Sequence, residues 1–248
     1  MNTKFIQGEP CWIDVSATDV HEAARFYKQL FGWQTSNVGT AEHPYIAFTQ
    51  SGKPIGAVGE VHEDDDPRWT PYFKVSDIHG MPEAVQDEGG YVMVLTQQLP
   101  GNRSVALFSA PDGARFGVME GRSDNTMQLW RVEGAVHSFT LMAKNSNIFA
   151  FYNRLFGWRL TRGIAGAMLR NPNSSTAFGH MHVVDHAARG FASEWITNFM
   201  VSDVADSARL ATKLGGEVIT GPVVLPGGIR VATINDPQGA RFSVMKVG

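Results

Sequence analysis

The sequence predicts an α+β fold built from four copies of one strand–helix–strand unit, set in two tandem domains. Three observations predict it. The stretch Arg25-Phe26-Tyr27-Lys28-Gln29-Leu30-Phe31-Gly32-Trp33 returns as Ala150-Phe151-Tyr152-Asn153-Arg154-Leu155-Phe156-Gly157-Trp158, a shift of 125 positions from Phe26 to Phe151. Pro111-Asp112-Gly113-Ala114-Arg115-Phe116-Gly117-Val118-Met119 returns as Pro237-Gln238-Gly239-Ala240-Arg241-Phe242-Ser243-Val244-Met245, a shift of 126. Trp69 with Val75-Ser76-Asp77 is matched by Trp195 with Val201-Ser202-Asp203, again at 126. Three landmarks in one order at nearly one spacing are a duplication. A fainter repeat lies inside each half. Asp19 precedes Gly32 by 13 residues, as Asp77 precedes Gly90, Lys144 precedes Gly157 and Asp203 precedes Gly216. The chain therefore reads as four units of roughly sixty residues each. Residues 1–122 and 133–248 are the two expected domains, and 123–132, polar at its start, is the linker.

The first unit opens on a strand, Cys11-Trp12-Ile13-Asp14-Val15-Ser16. Asp19, with Glu22 three positions on, has the spacing of a helix cap. Ala23, Phe26, Tyr27, Leu30 and Phe31 then fall on one apolar helical face. That aromatic stripe is core. Gly32 ends the helix, where a left-handed residue is needed. Strands follow near 45–49 and 55–61. The second unit has a strand from Trp69, a helix over 81–88 with Pro82 in its first turn, and strands near 91–95, 105–109 and 116–119. The third and fourth units repeat the scheme, with helices near 148–155 and 206–214. Lys144 stands where the other units have a capping Asp, so that helix start is expected to be weaker. Pro100-Gly101-Asn102 and Pro226-Gly227-Gly228 are matched hairpin tips. Neither is a phosphate loop, because neither leads through Gly-Lys-Ser/Thr into a helix.

At 248 residues, 43% hydrophobic and 18% charged, the chain can bury a sizeable core. The net charge of −3 and the lack of a basic stripe give no footprint for nucleic acid. The run Glu63-Asp64-Asp65-Asp66 reads as a solvated loop, since the alternating ligands of a calcium loop are absent. The one cysteine, Cys11, excludes an intramolecular disulfide and fits a reducing compartment. No signal-peptide pattern and no apolar run near eighteen residues is present. A cytoplasmic protein without membrane or nucleic-acid partners is expected, either monomeric or homodimeric.

The helix pattern F-Y-x-x-L-F-G-W and the final hairpin P-x-G-A-x-F, in paired strand–helix–strand–strand–strand units, resemble the vicinal oxygen chelate superfamily. This group includes glyoxalase I, bleomycin-resistance proteins and extradiol dioxygenases. The resemblance covers essentially the whole chain. It implies βαβββ modules paired into open, barrel-like sheets. It also implies, for active members, one divalent metal held by His, Gln and Glu. The resemblance places a frequent ligand on the first strand of a module, seven residues before the Asp that precedes the helix. Those positions are Trp12, Thr70, His137 and Ile196, of which only His137 ligates well. It places a Glu on the last strand, six residues after the turn proline. Those positions are Gly117 and Ser243, both non-ligands.

His180 and His182 alternate on one strand and face one way. With His137 they make a candidate set for zinc, iron or nickel. His137 alone is a candidate acid–base group, because its ordinary pKa lies near neutrality. A core histidine is the plainer reading. Asp185 and His186 lie just beyond. The candidate ligand-binding residues are Trp12, Asp14, Thr70, Tyr72, Phe139, Asn198 and Arg241. Two functions stay open. One is a metal-free, glyoxalase-like protein that binds a small hydrophobic or aromatic molecule. The other is a metal-dependent lyase, isomerase or dioxygenase using His137 with His180 or His182. A structural or regulatory role for the duplicated fold is a third.

Overall fold

A computed structural model describes residues 6–62, 65–99, 103–121, 126–163, 166–184 and 192–248. The tip at 100–102, Glu63 and Asp64 of the acidic run, residues 123–125 of the linker, and Asp185 with His186 lie outside the described residues.

Each module runs strand, helix, three strands. The first is β1 (Pro10–Ala17), α1 (Val20–Phe31), β2 (Gln34–Asn37), β3 (Ile46–Gln50) and β4 (Lys53–Glu60). The second is β5 (Arg68–Lys74), α2 (Met81–Asp87), β6 (Tyr91–Leu99), β7 (Arg103–Ser109) and β8 (Arg115–Gly121). The third is β9 (Val136–Ala143), α3 (Ile148–Phe156), β10 (Arg159–Gly163), β11 (Gly166–Arg170) and β12 (Ala177–Val183). The fourth is β13 (Glu194–Met200), α4 (Val204–Lys213), β14 (Glu217–Leu225), β15 (Ile229–Asn235) and β16 (Arg241–Lys246). The strands form two eight-stranded sheets, ordered β2-β3-β4-β1-β5-β8-β7-β6 and β10-β11-β12-β9-β13-β16-β15-β14. Each sheet is open, with edge strands that do not meet. No helix among the described residues is long and apolar enough to cross a membrane.

Local chemistry explains the helix ends. The Asp19 carboxylate accepts from the Glu22 amide at 2.8 Å, satisfying one of the donors that a helix start leaves without a partner. Asp203 does the same for α4 through the Asp206 amide. Asn147 at the start of α3 makes no such bond, and neither does Gly80 at the start of α2, where Asp77 is the expected cap, so the capping bond does not simply follow the acid at that repeat position. Gly32 and Gly157 close α1 and α3 at φ of 72° and 69°, a conformation that a Cβ disfavours.

The sheets follow the two halves of the chain, but the compact units do not. One unit gathers the chain up to Trp12, Pro71–Thr126 and Phe139–Trp195. The other gathers Ile13–Thr70, Met127–Ser138 and Ile196–Gly248. Each unit has its own aromatic core. In the first, Phe73 meets Trp158 at 4.7 Å and Phe156 at 5.6 Å, and Phe116 meets Tyr152 at 5.6 Å. In the second, Phe31 of α1 meets Phe199 at 4.9 Å and Tyr27 meets Phe242 at 5.7 Å. Phe73 and Phe199 are fully buried, each contributing about 2–3 kcal/mol of transfer free energy.

The segment before the first strand of each half is clipped in the same way. Trp158 donates its indole N–H to the Gly8 carbonyl at 2.9 Å, and Trp33 donates to the Gly134 carbonyl at 2.7 Å. Glu133 and Gly134, just after the expected linker, are thereby fixed, with Gln50 also donating to the Glu133 carbonyl.

Candidate functional site

Side chains alternate along a strand, so each sheet has a helix-side face and a helix-free face. In β1, Ile13, Val15 and Ala17 are buried on the helix side, which leaves Trp12, Asp14 and Ser16 on the other. In β5, Trp69 and Phe73 are core, and Thr70, Tyr72 and Lys74 take the helix-free face. In β13, Trp195 and Phe199 are core, and Ile196, Asn198 and Met200 are helix-free.

His137 does not follow this pattern. Two approaches fix its register. A Cβ on Gly56 would stand 2.7 Å from the Ile13 carbonyl oxygen, and one on Gly179 would stand 2.6 Å from that of Phe139. The Val61 amide donates to the Ala17 carbonyl, and the Val184 amide donates to that of Ala143. Ile13 therefore corresponds to Phe139, and Ala17 to Ala143. The counterpart of Trp12 is Ser138. His137 matches Cys11 and points to the helix side with Phe139 and Leu141. Phe139, expected to line a ligand site, is instead fully buried core, 6.5 Å from Phe73.

The parallel register pairs His180 with Thr140 and His182 with Met142, on the helix-free side. His137 and the two other imidazoles thus lie on opposite faces of the sheet and cannot hold one ion together. Among the described residues, no three His, Cys, Asp or Glu side chains come together to hold a metal.

The expected glutamate positions carry other chemistry. Tyr72 is paired with Gly117, and a Cβ at Gly117 would stand 2.3 Å from the tyrosine ring. The ring occupies the space that a side chain would need. In the other half, Ser243 is paired with Asn198 and shares a 3.1 Å hydrogen bond with Thr233. Asn198 donates to the Ser138 hydroxyl at 3.2 Å, and Ser138 donates to the Met245 sulfur at 3.7 Å. This buried chain of hydroxyls and an amide stands where a ligand set was expected.

The remaining candidates are placed as follows. Asp14 accepts from the Tyr45 hydroxyl at 3.4 Å. Thr70 is buried on the helix-free face. Arg241 donates through Nε to the Asn235 side chain at 3.2 Å. Trp12 lies under the Arg103 guanidinium, 5.4 Å from the ring centroid, a cation–π contact. Arg103, Lys74, Ser138 and Tyr45 were not singled out from sequence. Lys74 did leave a signal, because it interrupts the apolar run Tyr72-Phe73-Lys74-Val75.

Burial sets the electrostatics. It pushes the Cys11 thiol up to about 12, with Lys74 opposing and Glu9 reinforcing the shift, so the thiol is not a nucleophile at neutral pH. Burial also raises the Glu9 carboxyl against the pull of Lys74. Tyr27 donates to Asp236 at 2.8 Å and accepts from the Trp69 indole at 2.9 Å. Burial raises both Tyr27 and Asp236 above their ordinary values.

Paired βαβββ modules with open eight-stranded sheets define a tandem glyoxalase- and dioxygenase-like protein, and the chain belongs to the vicinal oxygen chelate superfamily. It is 31% identical over 275 aligned positions to the anthracycline biosynthesis protein DauV of Streptomyces sp. (strain C5), covering 99% of this chain and 95% of that one. The fold is similar to a Mn(II)-bound glyoxalase from Novosphingobium aromaticivorans, with a TM-score of 0.67, 15% identity, and coverage of 98% and 83% of the two chains. It is also similar to the 2,3-dioxygenase LapB from Pseudomonas sp. KL28, with a TM-score of 0.66, 14% identity, and coverage of 99% and 94%. No protein-family model matches.

Proposed function

We propose that the protein binds a flat, hydrophobic or aromatic small molecule on the helix-free faces of its sheets, and that the metal-ligand set of its superfamily is lost. The observation that carries this reading is the Tyr72 ring filling the space over Gly117, where the resemblance places a metal-binding glutamate. Ser243, bonded to Thr233, replaces the same group in the other half. Among the described residues no three His, Cys, Asp or Glu side chains come together for a metal, which supports this reading. Trp12, Tyr72 and Arg103 offer ring faces and a stacked cation, and Asn198 and Ser138 offer hydrogen bonds. A relative named for anthracycline biosynthesis supports a fused-ring aromatic as the ligand class.

The test is elemental analysis of tag-free protein purified without chelator, with tryptophan quenching by an added anthracycline alongside. Well under one metal per chain and saturable quenching are expected. About one transition metal per chain, lost in His137→Ala, would overturn this reading and restore a metal-dependent lyase or dioxygenase.

A further inference from the structure

Lys74 is 8% exposed on the helix-free face of β5. Lysines are almost never that buried without a partner. Among the described residues its ammonium makes no hydrogen bond and no ion pair. Glu9 lies across from it, its carbonyl accepting from the Lys74 amide at 2.9 Å, and the Glu9 carboxylate acts on Lys74 through charge alone, without a hydrogen bond. Its Nζ is not among the buried nitrogen atoms left without a partner, so the stem is covered while the ammonium keeps an opening to solvent and to a ligand. An ammonium has three donors and no acceptor.

The topology shows what shares its face. Arg103 is on β7 and Trp12 on β1, and the sheet order places β8 and β5 between them. The cation–π contact between Arg103 and Trp12 therefore spans those two strands on the face that carries Tyr72 and Lys74. Across the ladder, Lys74 pairs with Met119, and Met119 pairs with Val105. Neither neighbour in that row supplies an acceptor. Two cations and two aromatic rings thus share one face, with an apolar row between the cations and no carboxylate bonded to Lys74.

We propose that Lys74 is an anion-binding group, and that the ligand it selects is an aromatic carboxylate. This rests on the small-molecule reading above and deepens it. The ring stacks with Trp12 and Tyr72, and the carboxylate takes the charge-assisted hydrogen bonds that Lys74 lacks, with Arg103 as the second cation. The other half supplies an internal control, because the position equivalent to Lys74 is Met200. Methionine is thus compatible with this place in the strand.

The experiment is calorimetric titration with 2-naphthoate and with its neutral counterpart 2-naphthalenemethanol, on wild type and on Lys74→Met. Wild type is expected to bind the carboxylate at least about tenfold more tightly. Lys74→Met is expected to lose that preference and to keep its affinity for the alcohol. Equal affinities in wild type, or a preference retained in Lys74→Met, overturn the role of Lys74 while leaving the small-molecule reading intact. Binding of neither compound overturns both. Equal wild-type affinities overturn the proposal whether or not the variant folds.

Discussion

The two halves of the chain share an apolar skeleton and differ in their polar wiring. Phe73, Phe116, Trp69 and Trp33 of the first half are matched by Phe199, Phe242, Trp195 and Trp158 of the second, with every ring buried in its core. On the helix-free faces, Tyr72 stands opposite Gly117 in one half, and Asn198 opposite Ser243 in the other. Lys74 answers to Met200, Trp12 to Ser138, and Ala110 to Asp236. Packing constrains a core position from every side, so duplication preserved it. Most of the differences gather on the helix-free faces, and Asp236, bonded to Tyr27 inside the core, is the exception.

Three comparisons of variants sharpen or break this contrast. The largest effect is expected at Gly117→Ala. The new methyl meets the Tyr72 ring, and a loss of about 1–3 kcal/mol is expected, as for overpacked cores. Most of it should be relieved in a Tyr72→Ala background. Ser243→Ala at the matching position removes a single hydrogen bond, worth about 0.5–1.5 kcal/mol. Urea denaturation of both variants checks the difference, and equal losses would mean that Tyr72 does not fill the site.

The second concerns Asp236, whose place in the first half is taken by Ala110. Burial raises its pKa above the ordinary 3.8, so the folded protein holds this proton more tightly than the unfolded chain does. The associated stability is complete below 3.8 and is lost as pH rises through the raised value. Asp236→Asn should therefore show a smaller decline in stability from about pH 4 toward neutrality than wild type, read by denaturation at a series of pH values. An unchanged slope would show that Asp236 does not titrate in that window.

The smallest effect is expected at the helix starts. Asp19→Ala removes a formed cap and should cost about 1 kcal/mol. Asn147→Ala removes none and should stay within about 0.5 kcal/mol. A comparable cost at both would erase the difference between α1 and α3.

Most of the fold was legible because repeats, caps and terminal glycines are local signals. The landmarks Phe26/Phe151 and Trp69/Trp195 set the four modules, and Asp19 and Gly32 set the ends of α1 correctly. The candidate site was less legible for a geometric reason. Counting back seven residues from Lys144 reaches His137, but β9 is shifted by 126 from β1 while α3 is shifted by 125 from α1. One residue is missing between strand and helix. In a structure of period two, a one-residue error moves a side chain to the opposite face. The mixture of 125 and 126 in the repeat was the available sign of it. Phe139 was misplaced by the same slip. Lys74 is hard to read from sequence because a lysine beside a strand end looks like a solvated residue, and its low exposure arises only from tertiary packing.

In the second compact unit, α1 from the first half is walled by Phe199 and Phe242 from the second. In the first unit, α3 from the second half is walled by Phe73 and Phe116 from the first. The helices have exchanged neighbours across the duplication. A chain severed between residues 121 and 126 would strip each of these helices of part of its cover and lay bare rings that water has never met. The copies remain visible as ancestry, but they no longer exist as separable parts.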